Sequence, residues 1–177
     1  MSLKVWPKIL NKIDNRSRII NSNLNYLMKE ALLEVKNKWP KNLPSGIIHG
    51  DLFIDNIFFN KNKFAGFIDF YFSCNDYSMY EIAICINALC FDKRNNKFVL
   101  NNQKVKSLIK GYQSVKRIYQ KEKDALNVLC RGAALRYLLT RIYDYINTPK
   151  TALIKIKDPK EYFQKLIIHS NLNSYKD

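Results

Sequence analysis

The chain has 177 residues, 47% of them hydrophobic and 13% aromatic, with 30 basic against 15 acidic side chains and a formal charge of +15. That length makes one ordinary domain with a real core, and no low-complexity tract interrupts it. No apolar run reaches a membrane span, and Met1-Ser2-Leu3-Lys4 leads into no apolar signal segment, so a soluble cytoplasmic protein without membrane partners is expected.

The positive charge raises nucleic-acid binding as a function. Lysines outnumber arginines 23 to 7 and are scattered, which reads better as a general Lys/Asn/Ile bias. No nucleic-acid partner is expected; a basic field also suits an anionic nucleotide. Cys74, Cys85, Cys90 and Cys130 form no C-x-x-C pair, so reduced buried thiols are expected instead of a zinc site.

Residues 1–40 read as leading helices. Trp6, Ile9, Leu10 and Ile13 recur at three- and four-residue spacing, then a polar break falls at Asp14-Asn15-Arg16. Leu24, Leu27, Met28, Ala31, Leu32 and Val35 continue the pattern up to Trp39-Pro40, and Lys41 to Gly46 form a loop. Residues 47–72 are the β part. Ile47-Ile48 is a short strand, Ile57 to Asn60 a second, Asn60 to Lys63 a polar turn, and Phe64 to Phe70 a third strand pairing back on the second. Residues 76–171 form a helical core. Its first helix, through Phe91, is apolar almost all round and so central, with Asp76 as its cap. Helices over 101–118 and 122–147 follow, and a last one starts at Asp158-Pro159. The fold class is α+β, mainly helical.

The chemistry concentrates in Ile47-Ile48-His49-Gly50-Asp51-Leu52-Phe53-Ile54-Asp55-Asn56 and in Phe67-Ile68-Asp69-Phe70. Asn56 follows Asp51 by five residues, and Asp69 follows Asn56 by thirteen. A kinase catalytic loop and its metal-binding aspartate have this layout. A hydroxyl attacking a γ-phosphate must lose its proton, and a carboxylate such as Asp51 can accept it. Mg²⁺ against the phosphates needs hard oxygen ligands, which Asn56 and Asp69 supply. The hairpin turn brings these two to one end. His49 supports the loop. The bland alternative is a hairpin whose polar residues merely cap turns; it accounts for neither His49 nor the aspartates at apolar strand ends.

Two further groups stay open. Asn75 and Asp76 follow the metal aspartate closely and are either caps or substrate contacts. Arg131, Arg136 and Arg141 lie on one apolar helix. Either they pair with acidic residues, or Arg131 or Arg136 binds a substrate carboxylate through its fork.

These blocks resemble the aminoglycoside phosphotransferase and choline kinase superfamily, and within it the homoserine kinases with a protein-kinase-like fold. The resemblance extends through Ile84 to Ala88, Gly111 to Val115, Arg131 to Asp144, Asn147-Thr148-Pro149 and Lys157 to Tyr162. It implies the reaction ATP + L-homoserine → ADP + O-phosphohomoserine in threonine biosynthesis, with Asp51 as base and Asn56 and Asp69 as ligands of Mg²⁺ and hence of ATP. Another small alcohol such as choline, or a non-catalytic interaction module, is the alternative.

Such kinases carry an N-terminal lobe with a phosphate-covering loop and a strand lysine. Only 46 residues precede Ile47 here, they read as helix, and no two of the five glycines lie close enough for a Gly-rich loop. The expectation is a C-terminal lobe alone, with a separate N-terminal lobe chain or self-association to complete it. The surface facing the absent lobe should then be unusually apolar.

Overall fold

The computed structural model describes residues 3–13, 23–149, 151–153, 156–172 and 175. It is α+β and mainly helical, as the periodicities predict. Helix α1 spans Trp6–Ile13 and buries Trp6, Leu10 and Ile13. Helix α2, Leu24–Lys38, buries Leu24, Met28, Ala31, Leu32 and Val35 and ends where Trp39 turns extended ahead of Pro40. The polar break at Asp14-Asn15-Arg16 lies outside the described residues.

The β part is more divided than expected. Strand β1 (Ser45–Ile48) pairs antiparallel with β4 (Cys74–Tyr77), while β2 (Ile57–Asn60) pairs with β3 (Lys63–Phe67). The third strand stops at Phe67, not Phe70, because Asp69 adopts the left-handed conformation at φ 62° and the chain turns into a 3-10 turn over Phe70–Phe72. Asp76 does not cap the next helix: it lies within β4, and its Oδ1 accepts the N–H of Tyr77 at 2.8 Å. A hairpin of β5 (Phe91–Arg94) and β6 (Lys97–Leu100) follows where no strand was expected, turned by Asn95 and Asn96 at φ 47° and 60°. Two asparagines tolerate that mirror-image turn well, and the signal was there to read.

Helix α3 (Ser78–Leu89) is buried from Ser78 through Asn87 except at Glu81, and it packs on α5 (Gln120–Asn147). Helix α5 is the centre: it also packs on α1, α2 and α6 (Lys160–Asn171), and its buried stretch runs from Ala125 to Ile142. Helix α4 (Asn102–Gln113) lies outside, against α3. At the start of α6, Asp158 accepts the N–H of Lys160 at 2.8 Å, with Pro159 between them. None of the described helices is long and apolar enough to cross a membrane.

Two features hold α5 in place. Gly132 faces Trp39, which stands edge-on to Trp6 and Tyr80 at ring distances of 5.7 and 5.6 Å. A methyl group at Gly132 would lie 2.9 Å from Cη2 of Trp39 and 3.3 Å from Trp6. The other feature is a polar knot between α3, α5 and α6. Asn87 donates to the carbonyls of Ala83 and Cys130 at 2.9 and 3.0 Å, and its Oδ1 faces Nε2 of His169 at 3.1 Å. Lys165 donates to the Asn87 carbonyl and to Glu161, both at 2.6 Å, inside a cage of Phe91, Phe98 and Tyr162. The cage and the two acceptors replace the water that the buried ammonium loses.

Replacing Gly132 by Ala should destabilise the chain by about 1–3 kcal/mol, because displacing packed rings outweighs the ~1 kcal/mol gain in helix propensity; the urea midpoint reads it. Burial, reinforced by Lys165 and Arg131, pushes the pKa of His169 down to about 3. An unfolded histidine takes its proton near pH 6.5, so between 6.5 and 3 the unfolded chain binds the extra proton. Stability should therefore be complete above pH 6.5 and fall by up to ~1.4 kcal/mol per pH unit below it. His169→Gln should flatten that slope in urea titrations between pH 6.5 and 4.5.

Candidate active site

Strand β1 delivers the chain into a sharp turn at His49-Gly50-Asp51. Gly50 sits at φ +76°, and a Cβ there would stand 2.7 Å from the Phe72 carbonyl oxygen. Only glycine combines that backbone with that closeness. Three helical side chains grip the turn. Glu81 of α3 accepts the Gly50 N–H at 2.8 Å. Arg136 of α5 donates to the Gly50 carbonyl at 2.7 Å. The Tyr137 hydroxyl lies 3.2 Å from the same carbonyl and 3.0 Å from Oδ1 of Asp51. Burial raises the Glu81 pKa, against the pull of the His49 and Gly50 N–H groups that favour its charged form. Burial likewise raises the Tyr137 pKa well above that of a free phenol, so this hydroxyl keeps its proton to donate.

His49 ties the turn to the second half of the site. Its Nδ1 faces the Asp51 N–H at 3.3 Å, and its Nε2 faces the Ile68 carbonyl at 2.8 Å. Those two partners assign the tautomer: Nδ1 accepts and Nε2–H donates. The adjoining Ile68 N–H donates to the Asn56 carbonyl at 3.1 Å, just beyond the Ile57–Phe67 pair of the hairpin. Asn56 and Asp69 therefore flank the same end of β2 and β3. The Asn56 amide donates from Nδ2 to the Asp51 carbonyl at 2.9 Å, which orients it and leaves Oδ1 without a partner among the described residues. The exposed Asp69 carboxylate has none there either. Two unengaged oxygen donors at one hairpin end fit Mg²⁺, which takes one or two protein ligands and fills its remaining positions with phosphate oxygens and water. The described residues hold no cluster of three or more His, Cys, Asp or Glu of the kind an all-protein metal cage needs.

Asp51 opens onto a cavity of about 450 Å³ between α1, α5 and the segment before α6. Phe53, Phe72, Tyr137 and Tyr143 give it apolar walls; Lys12, Arg136, Arg141, Lys157, Thr140 and Asp144 give it polar ones. Of the three arginines on α5, only Arg136 reaches the turn of Asp51. Arg131 lines a different depression and is bound at both Nη atoms by Glu34 of α2, one contact at 2.7 Å. Arg141 is held by Glu161 at 2.7 Å and by the Asp158 carbonyl at 3.1 Å. Asn75 and Asp76 pair with β1, opposite Ile47 and Gly46, and do not line the cavity.

Sequence reasoning missed Glu81, Tyr137, Lys12, Asp144 and Lys157. A signal existed for Glu81, the lone carboxylate of an otherwise apolar helix. Tyr137, Lys12, Asp144 and Lys157 carry no local signal, because each joins the cavity only through the packing of its helix or segment.

Residues 10–112 match the model of the phosphotransferase enzyme family. The chain belongs to this family. Among curated relatives, it is 42% identical over 172 residues to the homoserine kinase of Agrobacterium fabrum, an alignment covering 97% of this chain and 52% of that protein. The homoserine kinase of Rhizobium meliloti is 41% identical over 169 residues (96% and 51%), and that of Rhodopseudomonas palustris 41% over 177 residues (100% and 53%). The chain spans about half the length of the curated relatives it matches. In this chain the β2–β3 hairpin is exposed on both faces, showing Phe58, Phe59, Phe64 and Phe67. Beside it Ile47, Ile54, Ile68, Phe70 and Tyr71 are exposed too, Tyr71 to 86%. An unusually apolar surface was expected from the sequence, and apart from Ile47 on β1 this one lies on the strands and turns that carry Asn56 and Asp69.

Gly50→Ala should lower the thermal midpoint by several degrees, since the methyl meets the Phe72 carbonyl and φ is unfavourable. Tyr137→Phe, which keeps the ring, should cost much less, about 1 kcal/mol or below in urea unfolding.

Proposed function

We propose that this chain carries the base and metal-ligand half of a homoserine kinase. It would transfer the γ-phosphoryl group of ATP to the hydroxyl of L-homoserine in threonine biosynthesis in the cytoplasm. The observation that carries the reading is the pose of Asp51. One carboxylate oxygen is held by Tyr137, and the other has no partner among the described residues, at the mouth of a cavity sized for a small molecule. The names of the relatives support homoserine as acceptor.

In this mechanism the free oxygen of Asp51 accepts the acceptor's hydroxyl proton as that hydroxyl oxygen bonds to the γ-phosphorus. The bond from the γ-phosphorus to the departing ADP oxygen breaks in the same step. Tyr137 and the turn at Gly50 keep the carboxylate aimed. Mg²⁺, held by Asn56 and Asp69, neutralises charge on the phosphates when bound. Arg136 is the best placed of the arginines to attract the acceptor's carboxylate. With four cationic side chains against Asp51 and Asp144, the lining disfavours a cationic alcohol such as choline.

The adenine and triphosphate contacts come from a second lobe that packs over the β2–β3 hairpin. An isolated two-stranded hairpin with both faces bare is marginal in water, and an apolar patch of this extent calls for a cover. The same interaction would set the two lobes on either side of Asn56 and Asp69. The four cysteines are free thiols, as suits a reducing compartment.

The test mixes this chain with the N-terminal half of the Agrobacterium fabrum homoserine kinase and follows ADP release with L-homoserine. Turnover is expected in the mixture, and Asp51→Asn should reduce it by ~10²–10⁴-fold. No turnover in the mixture, or an Asp51→Asn variant as active as the parent, would sink the proposal.

A further inference from the structure

Asp144 lines the same cavity as Asp51 but has no role of its own in the mechanism above. It lies on the face of α5 that also carries Tyr137, Thr140 and Arg141. Residues 137, 140, 141 and 144 are spaced three, four and seven apart, so they stack along one side of the helix. One end of this stripe touches Asp51 through Tyr137; the other end is Asp144, about 10 Å further along the axis.

The cations around the cavity are engaged elsewhere. Arg136 grips the Gly50 carbonyl, Arg141 is held by Glu161, and Lys157 contacts Asp55 at 3.3 Å while lying over the Phe53 ring. Lys12 lies over the ring of Tyr143. The Asp144 carboxylate makes no ion pair or hydrogen bond with any described residue, while its backbone carbonyl accepts the Thr148 N–H at 2.9 Å. It is a carboxylate in a cation-rich wall that forms no bridge. Asp144 is an exposed residue at the cavity wall, and desolvation there raises its carboxyl above the ordinary value.

We propose that Asp144 is the ammonium-binding residue of this cavity, reading the amino group of a hydroxy amino acid whose hydroxyl lies at Asp51. The inference rests on the reading of Asp51 as the base for a small alcohol and adds which part of that alcohol is recognised. Arg136, which gives the Gly50 carbonyl only one of its guanidinium nitrogens, meets the carboxylate of the same ligand, so the site selects a zwitterionic head over a plain hydroxy acid. Asp144 acts on selection and leaves the proton transfer to Asp51.

Binding measures this without turnover. Calorimetry on the 177-residue chain compares L-homoserine, 4-hydroxybutyrate, which lacks the amino group, and 3-amino-1-propanol, which lacks the carboxylate. L-homoserine should bind ~10–100-fold more tightly than 4-hydroxybutyrate, the range of a hydrogen-bonded charge. Asp144→Asn should collapse that ratio to near one while leaving 4-hydroxybutyrate binding unchanged, an outcome that a general loss of structure cannot produce. Asp51→Asn should keep the ratio. If Asp144→Asn retains the full preference, the assignment of Asp144 is overturned and the kinase reading stands. If the parent chain binds none of the three, the acceptor site itself is misassigned and both fall.

Discussion

The site depends on one small constraint: the peptide units at Gly50 are held from both sides by charged side chains on different helices, Arg136 buried and Glu81 half-buried. Glu81 takes the N–H and Arg136 takes the carbonyl. Each of these charges is expensive to bury, and neither forms a hydrogen-bonded ion pair with the other. Backbone dipoles supply part of what water would have given. Such an arrangement adds little net stability. Its value is positional, because α3 and α5 are packed against each other along their length and the grip transmits their rigidity to a turn that would otherwise be free. Asp51, one residue on, inherits a fixed place.

From that turn the order propagates by short steps. His49 joins the turn to Ile68, Ile68 joins to Asn56, and Asn56 returns to the carbonyl of Asp51. The loop closes on itself, so the proposed base and one proposed metal ligand, Asn56, are parts of one hydrogen-bonded circuit. Asp69 stands at its edge in a left-handed backbone, a conformation that costs energy for a residue with a side chain and that recurs at functional sites. Behind the circuit lies a well-filled helical core. In front lies a hairpin that shows phenylalanine on both faces. This contrast between a finished core and an unfinished surface runs through the whole molecule.

Much of this was legible in the residues. The helices at α2, α4, α5 and α6 came from three- and four-residue spacing, and the exposed apolar surface was anticipated from a family comparison. The misses have physical causes. Strand β4 is four residues long, Cys-Asn-Asp-Tyr, and has no alternation of its own; it exists because β1 offers an edge to pair with. The β5–β6 hairpin drew no strand expectation; it is anchored by Phe91 and Phe98 over Lys165 and by Leu100 against the core. The three arginines of α5 look alike in sequence, but each is assigned by what the neighbouring elements present: Glu34, the Gly50 carbonyl, or Glu161.

By itself the sequence determined the kind of chemistry on offer. His49, Gly50, Asp51, Asn56 and Asp69 occur at spacings that local backbone geometry enforces, since a turn and a hairpin are short-range structures. Only the tertiary structure decided which distant side chains join them. Glu81, Arg136, Tyr137 and Asp144 lie 31 to 93 residues from the turn at Gly50 and Asp51. Their convergence depends on how α3 and α5 pack, and packing is set by the summed burial of many apolar residues, which no local pattern records.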